Sequence, residues 1–107
     1  MDKIPLEIKE VLTRYIELLQ HNNFRLKHAY LFGSYSKGNA GEYSDIDVAL
    51  VSDLFEGIRI KDREKIRKIT LSVSSSLEAV PFRPEDFNTE NPLARVIIET
   101  GISLPVN

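Results

Sequence analysis

No cysteine occurs in the 107 residues. That excludes disulfides, thiolate metal sites and a thiol nucleophile. Long apolar runs are also missing, and none approaches the roughly 18 residues needed to cross a bilayer. The opening Met1-Asp2-Lys3-Ile4-Pro5 lacks the apolar core of a secretory signal, so a cytoplasmic location is expected. Nor is there an excess of positive charge: 14 Lys and Arg stand against 16 Asp and Glu, a net charge of -2. Grip on a nucleic-acid backbone favours the opposite balance, so duplex DNA binding is not expected. A nucleotide carried with its own metal ion is compatible with this charge. Repeats, low-complexity tracts and linkers are absent from the sequence, and 1–107 reads as a single domain.

What is present is periodic. Ile8, Val11, Leu12, Tyr15, Ile16 and Leu19 fall at helical spacing, predicting an amphipathic helix over Leu6–Gln20. Leu26–Phe32 reads as a buried strand. Gly33–Ser44, rich in Gly, Ser, Asn and Tyr, reads as a loop with room for one helical turn. Asp45–Val51 is an apolar strand. Asp62 is placed to N-cap a helix reaching Val73, with Ile66, Ile69 and Val73 inward. Leu77–Phe82 is a third strand, with Pro81 marking its end or an edge. Asn91-Pro92 opens a last helix and Gly101 stops it, with Leu93, Val96, Ile97 and Thr100 on one face. The expected architecture is α+β in two layers: a small mixed sheet of about three strands, helices on one face and the other face free for a site.

The chemistry sits between Leu31 and Leu50. Gly33-Ser34 directly follows a strand. Glycine allows a sharp turn and close approach of a ligand to the backbone. Free N–H groups of a helical turn begun there attract phosphates. Ser34 adds a hydroxyl, and Lys37 a positive charge one turn on. Such pairs in loops are usually plain turns. Asp45 and Asp47, two apart on a strand, point to the same face while Ile46, Val48 and Leu50 point to the core. Two carboxylates in register repel unless a cation lies between them, and magnesium prefers oxygen ligands. An isolated Asp-x-Asp is more often a solvated strand end. Together, though, the two motifs set a phosphate cradle beside metal ligands, which nucleotidyl transfer requires.

Gly33-Ser34, ten residues, then Asp45-Ile46-Asp47 resembles the signature of the DNA polymerase beta-type nucleotidyltransferase superfamily. The longer strings Gly-Ser-Tyr-Ser-Lys-Gly and Ser-Asp-Ile-Asp-Val-Ala-Leu are similar to its minimal prokaryotic branch. The resemblance implies a palm-like fold and magnesium-dependent transfer of a nucleoside monophosphate from a triphosphate such as ATP. It implies Gly33, Ser34 and Lys37 at the nucleotide, and Asp45 and Asp47 at the metal. It also implies a third carboxylate on a later strand, for which Glu78 is the candidate, with Glu85 and Asp86 held in reserve. The family often has Asp there, so the longer Glu78 leaves its role open between completing the metal site and accepting the proton of the attacking hydroxyl. Members of the branch commonly act as antitoxins that move AMP onto a tyrosine of a helical HEPN-domain toxin. Two other roles compete: occlusion of a partner without catalysis, and transfer to a small molecule or RNA with another subunit. The acceptor, the base preference, the number of AMP units and the oligomeric state stay open.

Other features are weaker. Gly33 and Gly38 are spaced as in a P-loop, but Asn39 and Ala40 stand where Lys and Ser or Thr belong. Asp45-Ile46-Asp47 fails as a calcium loop, because Ala49 and Leu50 replace the later ligand and glycine. His21 and His28 lack a partner at metal-ligand spacing and read as surface residues. The basic run Arg59, Lys61, Arg63, Lys65, Arg67 and Lys68 reads as a solvated helix face; its sharper reading is a contact surface for a nucleotide, RNA or an acidic partner.

Overall fold

The computed structural model describes residues 4–38, 40–41 and 44–106. Asn39, Glu42 and Tyr43, all within the motif loop, lie outside the described residues. The elements run α1 (Leu6–His21), β1 (Leu26–Phe32), α2 (Ser34–Lys37), β2 (Ile46–Ser52), α3 (Arg59–Val73), β3 (Leu77–Phe82), a 3-10 turn (Pro84–Asp86), α4 (Pro92–Thr100) and β4 (Ile102–Leu104). The strands form one mixed sheet in the order β3-β2-β1-β4. β1 is antiparallel to both β2 and β4, and β2 is parallel to β3.

The fourth strand is the first departure from the sequence reading. Only three residues long, it lies between Gly101 and Pro105 and pairs Ile102 with Leu31 and Leu104 with Ala29. So short a run carries no period of its own, and the neighbouring β1 edge defines it.

β2 is the central apolar strand, and five of its residues in a row, from Val48 to Ser52, are buried. Continuous burial means cover on both faces. Ile46, Val48 and Leu50 pack with Leu31, Ala79 and the inner faces of α1 and α3, including Leu12, Tyr15, Ile16, Leu19 and Ile66. Ala49 and Val51 point the other way, onto Phe82, Ala94 and Ile97, with Phe87 and Tyr30 packed around them. Helices therefore flank both faces rather than one. The cover from α4 does not reach the starts of β2 and β3, where Asp45 and Glu78 are exposed and Asp47 is half-buried.

Two details of the helices also differ. Ala94 and Ile97 carry the buried stripe of α4, while Val96 is half exposed; the small Ala94 fits where the helix lies close to the sheet. Asn91 does cap α4, its side chain accepting from the N–H groups of Leu93 and Ala94. Asp62, by contrast, is not the N-cap of α3. The chain turns at Gly57 (φ +89°) and the helix begins at Arg59. Asp62 lies inside the first turn and is buried. Its two carboxylate oxygens accept from the N–H groups of Glu56 (2.8 Å) and Gly57 (2.9 Å). It thus holds the β2–α3 loop instead of the helix end.

Candidate active site

The strand directions bring the predicted residues together. β1 runs antiparallel to β2, so the end of β1 lies beside the start of β2, and Phe32 pairs with Asp47. β3 runs parallel to β2, so its start lies at the same end, and Asp47 pairs with Glu78. Gly33, Asp47 and Glu78 therefore stand at one end of three adjacent strands. A bond from the Ile46 N–H to the Ser76 carbonyl (2.9 Å) fixes the entry to β2 and β3.

Gly33 has φ +74°, a conformation that side chains rarely tolerate. A Cβ placed there would overlap the Asp47 carboxylate and lie 3.3 Å from its Cγ. The residue type is thus dictated by closeness to the acid as well as by the turn. The first bond of α2 runs from the Lys37 N–H to the Gly33 carbonyl (3.2 Å). The N–H groups of Ser34, Tyr35 and Ser36 accordingly have no acceptor within the helix. The Ser36 hydroxyl donates to the Gly33 carbonyl (2.9 Å) and steadies the turn. Tyr35 and Ser36 are buried beneath it, Ser34 is partly exposed, and Lys37 is exposed at the last position of α2. Gly38 then leaves the helix in the left-handed conformation.

The acids form a charged set. Partial burial raises the pKa of Asp47 above its ordinary value, and the charges of Asp45 and Glu78 raise it further. Such a set lacks a counter-charge, and its donors are all carboxylate oxygens, the ligands that a hard divalent cation takes. The donor chemistry therefore fits magnesium. Among the described residues, no three His, Asp or Glu side chains are already gathered as a metal cage. Glu78 is instead engaged by Arg63, whose Nη2 donates to its Oε2 at 2.9 Å. The fallback carboxylates stand elsewhere: Glu85 and Asp86 lie on the turn after β3 and pair with Arg83.

Arg63 was not singled out by the sequence reading. It belonged to the basic run of α3, and nothing in that run marked the one residue that reaches across to β3. Lys65 from the same run closes the other side of the helix, pairing with Glu56 at 2.8 Å.

A palm-like mixed sheet with a glycine turn facing two aspartates defines a nucleotidyltransferase-type site. Residues 8–101 match the nucleotidyltransferase domain family, and the chain belongs to that family. It is 37% identical over 72 residues to protein adenylyltransferase MntA of Shewanella oneidensis, covering 66% of this chain and 50% of that protein. A Methanocaldococcus jannaschii protein, MJ1379, assigned the same activity, is 40% identical over 47 residues, covering 44% of this chain and 46% of its own length. The chain thus spans about half the length of these curated relatives. Among solved structures, a toxin-antitoxin crystal structure with AMP-PNP superposes with a TM-score of 0.63 at 27% identity, covering 89% of this chain and 73% of that one.

Proposed function

We propose that this chain transfers AMP from ATP, taken with magnesium, to a tyrosine hydroxyl of a HEPN-type toxin and thereby acts as its antitoxin in the cytoplasm. The observation that carries this reading is the placement of the Gly33 turn directly against Asp47, with Asp45 and Glu78 beside it. The names of the relatives, a protein adenylyltransferase and a toxin-antitoxin pair with an ATP analogue, support both the reaction and the kind of partner.

In this reading Asp45 and Asp47 hold the magnesium, which when bound supplies charge neutralisation to the triphosphate. The unused N–H groups of α2, the Ser34 hydroxyl and Lys37 bind and orient the phosphates. The acceptor oxygen forms a bond to the α-phosphorus, the bond to the bridging oxygen breaks, and pyrophosphate leaves. Glu78 orients the acceptor hydroxyl or takes its proton. Positioning and electrostatics account for most of the acceleration.

The test is direct. The chain, co-expressed with a candidate HEPN partner, is incubated with α-labelled ATP and magnesium. Label is expected on a partner tyrosine and is lost when Asp45 and Asp47 are both changed to Asn. A tight complex that never acquires label, and is unaffected by those changes, would replace transfer with simple occlusion.

A further inference from the structure

A groove of about 380 Å³ runs between α3 and the edge strand β3. It is bordered by Ile60, Arg63, Arg67, Leu71, Ser75 and Glu78. Three features set it apart. First, two large apolar side chains of α3 stand in solvent along it, Ile60 at 82% and Leu71 at 55% exposed. Second, α3 carries six basic and two acidic residues on a chain whose net charge is -2. Third, the groove opens at Glu78 and so is continuous with the acidic end of the sheet.

We propose that this groove docks an acidic, apolar-bearing segment of the acceptor polypeptide. The inference rests on the reading that the acceptor is a protein. The chemistry favours a polypeptide over nucleic acid. Single-stranded nucleic acid takes aromatic stacking platforms beside positive charge, and α3 has no aromatic residue. Exposed isoleucine and leucine beside arginines instead match a protein interface, where apolar anchors are ringed by charge. The arginines are weakly committed. Arg67 meets Glu64 at 3.8 Å with both side chains about two-thirds exposed, and such surface pairs contribute little. Arg63 is half exposed in its pair with Glu78. A carboxylate arriving from the partner can draw on both guanidinium groups. Strand addition to β3 is a poorer fit, because Pro81 has no N–H to offer beyond Val80.

The probe is a random glutamate–tyrosine copolymer, titrated into the isotopically labelled chain and followed by backbone amide NMR. Shifts are expected at Ile60, Arg67 and Leu71. Affinity is expected to fall at least tenfold in Ile60→Glu and in Arg67→Glu, and a lysine–tyrosine copolymer of the same length should bind at least tenfold more weakly. Both variants are surface changes, and unaltered amide spectra elsewhere report that they fold. Shifts confined to other faces, equal binding of the lysine copolymer, or stronger shifts of the same residues by polyuridylate would overturn the proposal. Transfer is scored separately with labelled ATP. Copolymer bound at α3 but never labelled counts against transfer and leaves the groove standing. Label reaching the copolymer without any shift on α3 counts against the groove and leaves transfer standing.

Discussion

The hydroxyls of Tyr15 and Thr70 meet at 2.6 Å inside the core and tie α1 to α3. Thr70 spends its own proton on the Ile66 carbonyl at 2.9 Å. Tyr15 must therefore be the donor. Burial holds the Tyr15 pKa up at about 12 against an ordinary 10.0, with the bond to Thr70 working in the opposite direction. The folded chain thus keeps the proton where the unfolded chain has lost it. This contribution is fully present below pH 10 and is lost as pH rises towards 12, amounting to about 2–3 kcal/mol. Tyr15→Phe is expected to cost about 1 kcal/mol at neutral pH by loss of the bond. It should also flatten the alkaline decline. Urea unfolding of both proteins at pH 8 and pH 11 checks this; an equally steep decline in the variant would remove Tyr15 as its source.

Asp47→Asn separates catalysis from stability. The raised pKa of Asp47 means that its charged form is disfavoured by the fold. Its contribution is therefore favourable below the unfolded carboxylate range and is lost as pH rises through the folded value. Removing the charge should leave the fold intact and make the chain somewhat more stable than the parent at pH 7, with the gain shrinking at pH 4. Magnesium with ATP should raise the Tm of the parent and not of the variant, and transfer should vanish. Thermal melts at the two pH values, with and without the ligands, provide the readout.

Gly33→Ala should be damaging out of proportion to its size. The left-handed backbone costs an alanine about 1 kcal/mol, and its Cβ would overlap the Asp47 carboxylate. The expected loss is about 2 kcal/mol or more, together with loss of ATP-dependent stabilisation. Gly38→Ala is the control: it has the same sign of φ, but no atom lies within 4 Å of its Cβ, so only the backbone cost is expected. Comparable losses in the two variants would show that contact with Asp47 matters little.

Asp62→Ala removes the acceptor for two backbone N–H groups in the β2–α3 loop. Stability should fall by about 2–3 kcal/mol. Asp62→Asn, which keeps one acceptor oxygen, should recover part of this. Midpoints of urea denaturation rank the three proteins, and an Asn variant no better than Ala would argue against the two-bond arrangement.

The reading of these residues in advance succeeded where the information is local. Helix and strand periods placed α1, β1, β3 and α4 within a residue or so, because each has a face whose apolar spacing repeats often enough to be seen. Asn91 was recognisable as a cap because capping involves a residue and the two or three that follow it. Asp62 was misplaced for the complementary reason: aspartate near a helix start has the same local signature whether it caps the helix or bends back to hold a loop. The loop that it holds is fixed by Gly57 and by burial, neither of which periodicity reports.

The sequence alone determined that a glycine turn and a pair of aspartates would follow and begin neighbouring strands, since spacing and side-chain chemistry suffice for that. It also determined the α+β class, the absence of thiol chemistry and the candidate status of Glu78. Only the tertiary structure decided that β1 runs against β2 and β3 runs with it, and this is what gathers Gly33, Asp47 and Glu78 at one end of the sheet. It alone decided that α4 covers the second face, that a three-residue β4 closes the edge, and that Arg63 reaches Glu78 across fifteen positions of chain. Strand direction, edge pairing and contacts between distant residues depend on how whole elements pack, and no window of neighbouring residues contains that information.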